Sequence, residues 1–216
     1  MRFCIAGKND IAVSALEYLL EVKQVPLNKL CIICNKTETG QNGWQRSLRF
    51  YAAQKGVKEE SLEMQYNKQD LVFLSLEFDR IIKPACFKSQ RLYNIHFSKL
   101  PQYKGMYTSA LPILNGEEES GVTFHKIDWG IDTGDIIFQK IFKLDKNETA
   151  RTLYFKYISV GTEIIKKVID YLCAGFSLPS AIGQNPSDAT YYSKKAIDYD
   201  NLEIDLNKTA QEIDAQ

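Results

Sequence analysis

The sequence lacks several features that would each assign it to a particular class of protein. Its formal net charge is +0, from 27 basic and 27 acidic residues, so it lacks the excess of positive charge typical of nucleic-acid-binding surfaces. No apolar run approaches the length of a membrane span. The first ten residues, MRFCIAGKND, contain no apolar core of a signal peptide. We therefore expect a cytoplasmic protein that binds neither nucleic acid nor a membrane.

Potential metal ligands are also scarce. The chain has two histidines and five cysteines, without the spacing of a metal site. An odd number of cysteines without a secretion signal indicates reduced thiols. Cys31 and Cys34 form a C-x-x-C pair, which invites a redox or zinc interpretation. They lie in an apolar, strand-like run, however, where positions three apart face opposite sides, so we interpret them as small core residues.

The first 175 residues alternate between strand and helix patterns. Helical spacing of apolar residues occurs at 11–20, 44–55, 108–116 and 148–174. Asn9 or Asp10 is expected to cap the first of these helices, and Thr149 or Asn147 the last. The strand patterns between them are RFCIAG, KLCIICN, LVFLSLEF, LYNIHFS, GVTFHKID and DIIFQKIFKL. This alternation predicts an α/β fold, a doubly wound and mostly parallel sheet.

Residues 176–216 lose this periodicity and are expected to form a short irregular C-terminal tail. A helical pattern starts at Thr209 and stops abruptly at the last residue. We expect from this that the natural protein continues beyond residue 216. The domain organisation that we predict is therefore a domain at 1–175 and a tail, truncated relative to the natural protein, at 176–216.

Polar side chains with chemical potential follow the later strands. Asn94 and His96 are two apart on a strand and therefore point to the same face. Asp132 lies in the turn-rich loop WGIDTG between two strand patterns. Ligands of doubly wound sheets bind beyond the carboxyl ends of the strands, and we expect these three residues on that side.

Two segments carry a resemblance to a known family. YNIHFSKLPQYKG (93–105) and HKIDWGIDTGDII (125–137) resemble the 10-formyltetrahydrofolate-dependent formyltransferases, in which N-x-H-x-S-x-L-P-x-x-x-G is followed by D-x-G. The resemblance covers residues 1–175. It implies a Rossmann-like formyltransferase domain, 10-formyltetrahydrofolate as cosubstrate, and a catalytic constellation of Asn94, His96 and Asp132.

The chemistry of formyl transfer suits these residue types. An oxyanion develops when an amine attacks the formyl carbon, and an Asn94 amide donor to it would be worth about 3 kcal/mol. His96 could donate to the oxyanion or accept a proton from the amine, and Asp132 could orient His96 or relay a proton. Which residue is the base stays open. Each residue alone also has a structural explanation, as a strand end, a half-buried histidine or a turn cap, but their joint occurrence favours catalysis. We interpret His125, which has no motif partner, as structural.

Other segments resemble the sugar N-formyltransferase branch, which acts on dTDP-linked amino sugars. They are Phe97 (where many members have proline), NGWQ at 42–45, GMYTSA at 105–110 and YYSKK at 191–195. The resemblance implies formylation of an amino sugar, with dTDP-4-amino-4,6-dideoxyglucose as our best candidate, for surface polysaccharides such as lipopolysaccharide O-antigen. The substrate-binding residues that we expect are Lys8, Trp44, Gln45, Tyr107, Thr108, Tyr192 and Lys194. For Trp44 and Tyr107, helix packing and a merely exposed loop aromatic are the alternatives.

In similar enzymes the pterin of the folate is held mainly by main-chain groups. The resemblance places it between two segments, and the residues expected to bind it are Ile82, Lys83, Pro84, Asp128 and Gly130.

Several alternatives remain open. A glycinamide ribonucleotide enzyme would carry a Gly-rich phosphate loop after the first strand, where this chain has the single Gly7. A methionyl-tRNA enzyme would carry a basic appended domain, and a formyltetrahydrofolate hydrolase an N-terminal regulatory domain. A non-catalytic nucleotide-binding module would explain the strand–helix alternation but not the three polar residues. A homodimer is possible.

Overall fold

The computed structural model describes residues 1–200 and 203–214, and within them nine strands. Their bounds are β1 Arg2–Gly7, β2 Leu30–Cys34, β3 Lys58–Glu59, β4 Leu71–Leu76, β5 Leu92–His96, β6 Lys104–Gly105, β7 Glu119–Lys126, β8 Ile136–Lys143 and β9 Tyr191–Tyr192. Seven of them form one sheet in the order β3-β2-β1-β4-β5-β7-β8. In this order, each strand from β3 through β2, β1 and β4 to β5 is parallel to its neighbour. Strand β7 is antiparallel to both β5 and β8. This architecture confirms the predicted α/β fold.

Helices cover the sheet and differ in places from the predicted bounds. They are α1 Asn9–Glu17, α2 Leu48–Lys55, α3 Leu111–Leu114, α4 Ala150–Cys173 and α5 Ala210–Asp214. The predicted start of α2 at residue 44 was wrong by four residues, because Ser47 caps this helix through its side chain, which accepts from the Phe50 N–H. The start of α3 was also predicted too early. Of the predicted helix over 209–216, residues 215 and 216 lie outside the described residues.

One predicted helix cap is confirmed and the other is wrong. Thr149 caps α4 as predicted, since its hydroxyl accepts the Thr152 N–H at 3.2 Å. The predicted cap of α1 was wrong, because Lys8 occupies the N-cap position and Asn9 and Asp10 follow it as the first residues of α1. A residue distant in sequence takes this role: Gln45 Oε1 accepts the Asp10 N–H at 3.1 Å.

The sheet buries side chains on both faces, as continuous apolar strands require. On one face, Phe3 and Ile5 pack with α1 and α4. On the other, Cys4 and Cys31 pack in a second cluster. Cys34 packs against the first cluster, so the two cysteines of the C-x-x-C pair lie on opposite faces, and both are free thiols.

The C-terminal segment contacts the sheet rather than leaving it. β9 pairs with β6, and Ile182 forms a bridge with Ile136 at the start of β8. The division at residue 175 stays a prediction, but these contacts tie residues 182–192 to the domain. No helix within residues 1–200 and 203–214 is long and apolar enough to cross a membrane.

Helix α4 carries the side chains that support β5. Phe97, directly after β5, stacks on Tyr157 of α4 with ring centroids 5.3 Å apart. Gly161 of α4 lies at this contact, where an added Cβ would approach Ile11 Cδ1 to 2.8 Å and Phe97 Cε1 to 3.3 Å. The absence of a side chain at Gly161 therefore allows α1, α4 and the end of β5 to pack closely.

We expect Gly161→Leu to lower the free energy of unfolding by about 1–3 kcal/mol, because it overpacks this contact. Urea unfolding measures the effect. Gly43→Leu is the matched control, since an added Cβ at Gly43 meets no atom within 4 Å, and it should change the free energy by less than about 0.5 kcal/mol. Equal losses in the two variants would contradict the packing argument.

Candidate functional site

The three predicted catalytic residues converge at one point on the sheet. Asp132 Oδ1 lies 3.3 Å from Asn94 Nδ2, and Asp132 Oδ2 lies 3.5 Å from His96 Nδ1. Asn94 and His96 belong to β5, and Asp132 to the β7–β8 loop. Because β7 is antiparallel to β5, this loop leaves the sheet at the opposite end of β5 from His96 and folds back over the strand. The three residues therefore meet at the carboxyl end of β5, as expected, because this loop folds back and not because Asp132 directly follows a strand that ends there.

Several contacts fix Asp132 in this position. Its backbone has the left-handed φ of 54°, which is uncommon for a residue with a side chain. The Gly105 N–H donates to Asp132 Oδ2 at 3.0 Å. Gln184 Nε2, from the C-terminal segment, donates to the carbonyls of Asp132 and Gly134 at 2.8 Å each. A Cβ at Gly134 would meet the Lys126 carbonyl at 1.8 Å, so this turn requires glycine.

Asp132 is an anion in this environment. Burial alone would raise the pKa of its carboxyl group. The positive charges that His96 and His125 can carry, and the hydrogen bonds from His125 and the Gly105 N–H, outweigh burial and hold the pKa well below its usual value. The side chain is 12% exposed. Since the group stays ionised at neutral pH, it acts as a fixed negative charge and is a weak base.

Both ring nitrogens of His96 make contacts. Its Nε2 lies 2.7 Å from the Tyr103 carbonyl, which can only accept, so Nε2 carries a proton. Its Nδ1 lies 3.5 Å from the Asp132 carboxylate. These two contacts fix the orientation of the ring and make its Nε2–H a hydrogen-bond donor beside the carboxylate.

His125, which the sequence left as structural, contacts the same group of residues. It is paired with Asn94 across β5 and β7, and its Nε2 lies 3.1 Å from Asn94 Nδ2 and 3.6 Å from Asp132 Oδ1. Its Nδ1 lies 2.7 Å from the Lys126 carbonyl and therefore carries a proton. Through Nε2, His125 contacts both the Asn94 amide and the Asp132 carboxylate and so holds these two groups relative to each other. Only the register of β5 with β7 reveals this contact.

A cavity of 590 Å³ opens beside these residues. Asn94, His96 and Asp132 line it. Among the residues predicted to bind folate, Ile82, Asp128 and Gly130 line it too, whereas Lys83 and Pro84 do not. Thr108, predicted to bind substrate, is also part of the wall. Asp128 Oδ1 accepts from the Gly130 N–H at 3.0 Å and the Thr133 hydroxyl at 2.6 Å, which shapes the loop. The cavity thus joins the predicted folate segment to the polar trio.

A second cavity, of 290 Å³, lies over the N-terminus of α1. Lys8, Trp44 and Gln45 line it, so the structure brings these three predicted residues together. Trp44 is 64% exposed and packs against Tyr154 with ring centroids 5.4 Å apart. Gln45 is buried, and its Nε2 has no hydrogen-bond partner in the described part of the chain. The Trp44 ring, the Lys8 ammonium group and the unpaired amide of Gln45 therefore lie together at this cavity.

Three other predicted substrate-binding residues line neither cavity and instead hold the C-terminal segment. The Tyr107 hydroxyl donates to the Lys194 carbonyl at 3.0 Å. Tyr192 stacks on Tyr103 with centroids 5.4 Å apart. The neighbouring Tyr191 lines the larger cavity instead.

Within residues 1–200 and 203–214, no group of three or more His, Cys, Asp or Glu side chains is arranged to hold a metal ion.

Comparisons with known proteins agree with this geometry. The family model described as "Formyl transferase" matches residues 23–169. The methionyl-tRNA formyltransferase of Fervidobacterium nodosum is 30% identical over 99% of this chain and 69% of its own length. The crystal structure of an N-formyltransferase from Helicobacter canadensis, with folinic acid and dTDP-3-aminofucose, is 45% identical with a TM-score of 0.94, covering 100% of this chain and 78% of the other.

A second solved structure is similar to the same degree. It is a sugar 3N-formyl transferase in the presence of dTDP and 5-N-formyl-THF, 45% identical with a TM-score of 0.94, and it covers 100% of this chain and 77% of the other. The family model spans both the strand that carries Asn94 and His96 and the loop that carries Asp132. The polar trio, the adjoining cavity and these matches lead to one assignment: this chain belongs to the formyl transferase family.

Proposed function

We propose that this protein transfers a formyl group from 10-formyltetrahydrofolate to the amine of a dTDP-linked amino sugar. The observation that carries the proposal is the pair of neighbouring cavities, one lined by the polar trio and the other by an exposed tryptophan over a helix N-terminus. One 45% identical relative was solved with a folate and a dTDP-amino sugar. Two cavities suit a substrate with a nucleotide at one end and an amine at the other.

The larger cavity fits a folate. Ile82 and Ile127 contribute apolar surface to it, and Ile131 lines it while being 40% exposed. Flat heteroaromatic groups bind such apolar walls, with a few polar groups to orient them. Bound 10-formyltetrahydrofolate supplies the formyl group. Ile82, Asp128 and Gly130 are the predicted folate residues that would hold it.

The trio then serves the developing charge. The amine attacks the formyl carbon, which places negative charge on the formyl oxygen. The bond from this carbon to N10 of the folate then breaks, and the proton lost by the amine goes to N10, so that tetrahydrofolate leaves. The Asn94 amide and the His96 Nε2–H would donate to the formyl oxygen, which competes with the Tyr103 carbonyl for the latter. Asp132 contributes a fixed negative charge beside His96. The lowered pKa of Asp132 supports this electrostatic role over that of a base.

The smaller cavity suits the nucleotide end of the substrate. Lys8 and the N-terminus of α1 favour phosphate, and the exposed ring of Trp44 favours stacking with a base. The relatives at 45% identity include an enzyme with dTDP-3-aminofucose and a sugar 3N-formyl transferase. We therefore favour a 3-amino sugar over the 4-amino sugar that the sequence led us to expect.

Substrate class is tested with a panel of formyl acceptors. We expect label from ¹³C-formyl-tetrahydrofolate on the amine of dTDP-3-amino-3,6-dideoxyhexoses, more slowly on 4-amino isomers, and not on methionyl-tRNA or glycinamide ribonucleotide. Mass spectrometry of the acceptors detects the added formyl group. Transfer to methionyl-tRNA alone would assign the chain to the activity of its 30% identical relative instead. Release of the label only as formate would indicate a hydrolase.

Nucleotide binding is tested with dTDP alone. We expect dTDP to raise the melting temperature, because a ligand that binds only the folded state stabilises it. Trp44→Ala should weaken dTDP about tenfold through loss of an aromatic contact. Phe176→Ala, which removes an exposed aromatic from the C-terminal segment, serves as the control and should leave the affinity unchanged. A dTDP affinity insensitive to Trp44 would place the base elsewhere.

The role of Asp132 is tested through the pH dependence of kcat/KM. Asp132→Asn should lower turnover about 100-fold. The loss should be by the same factor at every pH of the profile, because the lowered pKa of Asp132 keeps its carboxyl group ionised throughout this range in wild type. The carboxyl group of Asp132 itself, with its lowered pKa, does not titrate in this range.

The matched control for this change is Asp135→Asn. Asp135 lies on the same loop but pairs with Lys126 at 3.5 Å, so we expect a wild-type profile. If the loss in Asp132→Asn changes with pH near neutrality, the carboxyl group of Asp132 titrates there, and it acts by relaying a proton and not as a fixed charge.

A further inference from the structure

Glu77 occupies a distinctive place in the fold. It directly follows β4, which lies next to β1 at the point where the strand order of the sheet reverses. Its φ of 57° is in the left-handed region, which favours glycine. Glu77 also lines the 590 Å³ cavity together with Asn94 and His96. A strained acidic residue in the wall of a reaction cavity is a candidate for function.

The two oxygens of this carboxylate differ. Oε2 accepts from Asn9 Nδ2 at 3.0 Å and from the Tyr154 hydroxyl at 2.9 Å, which fixes the orientation of the group. Oε1 accepts no hydrogen bond from any residue of 1–200 or 203–214. One oxygen is therefore used to position the carboxylate, and the other is free to accept from a ligand.

The partners of Glu77 connect the two cavities. Asn9 lines the smaller cavity, beside Lys8 and Trp44. Tyr154 packs against Trp44 and also meets the ring of Phe97, with centroids 6.0 Å apart, and Phe97 lines the larger cavity. Glu77 thus lies between the two cavities. A ligand with its nucleotide in the smaller cavity and its reacting amine in the larger one would pass beside Glu77.

We propose that Glu77 Oε1 accepts a hydrogen bond from a sugar hydroxyl on a carbon next to the reacting amine, which makes Glu77 a specificity-determining residue. This inference rests on the proposed function. A carboxylate can only accept, so it selects a donor. A hydroxyl fits better than the amine itself, because an ammonium group held by Glu77 would lack the lone pair needed for attack. Once a bound sugar covers this oxygen, leaving it unpaired penalises any sugar without that hydroxyl.

The test compares wild type and Glu77→Gln on three acceptors. These are a dTDP-3-amino-3,6-dideoxyhexose and its two analogues that lack the hydroxyl on C2 or on C4. In Glu77→Gln, the amide oxygen can keep the contacts with Asn9 and Tyr154, while an NH2 group replaces Oε1. The variant therefore turns the free acceptor into a donor at nearly constant volume.

We expect wild type to prefer the full sugar over one of the two analogues by about 10- to 100-fold in kcat/KM. Glu77→Gln should lose that preference, with kcat/KM for the full sugar reduced by a similar factor and that for the same analogue little changed. Glu63→Gln is the control with the same change of charge. Glu63 pairs with Arg80 on the surface, and this variant should keep the wild-type preference.

Two results would overturn the assignment of Glu77. One is a wild-type enzyme that does not distinguish the three sugars. The other is an equal loss on all three in Glu77→Gln, which would show that Glu77 only supports the fold. Failure of wild type to formylate any of the three would refute the proposed function itself, and it would be seen before any variant is compared.

Discussion

The buried negative charge of Asp132 is the interaction on which the rest of the site depends. An ionised carboxylate is costly to remove from water unless it is paired and hydrogen-bonded. Here the compensation comes from separate parts of the chain: His96 from β5, His125 from β7 and the Gly105 N–H from β6. These elements are held in one arrangement because each contributes to stabilising the same anion. The groups of the site are thus linked by their contacts with one buried negative charge.

The same requirement explains why the C-terminal segment belongs to the working unit. Gln184 fixes the backbone of Asp132, and β9 pairs with β6, the strand whose Gly105 contacts the carboxylate. Residues beyond 175 therefore position the loop that carries Asp132, although they lie far from it in sequence. A long-range contact of this kind also serves α1, where Gln45 and not a local side chain caps the helix.

Features that depend on residues close together in the sequence could be predicted, whereas contacts between residues distant in the sequence could not. RFCIAG coincides with β1, because a strand buried on both faces is a continuous apolar run. The motifs that contain Asn94, His96 and Asp132 were enough to predict that these side chains lie together. The contact of His125 with Asn94 was missed because it follows from strand register, and the position of Glu77 in the cavity wall because it follows from the place of β4 beside β1. The contacts of Tyr192 with Tyr103 and of the Lys194 carbonyl with Tyr107 join residues that are distant in sequence, and the sequence did not predict them.

The central claim is that the buried carboxyl group of Asp132 is a fixed negative charge. Its protonation is measured directly by ¹³C NMR of the aspartate carboxyl carbons, with the Asp132 signal identified by its absence in Asp132→Asn. We predict that this signal keeps the shift of an ionised carboxylate as the pH is lowered through the usual titration range of aspartate, because the pKa of Asp132 lies well below its usual value. An Asp132 signal that titrates together with those of the exposed aspartates would contradict the account.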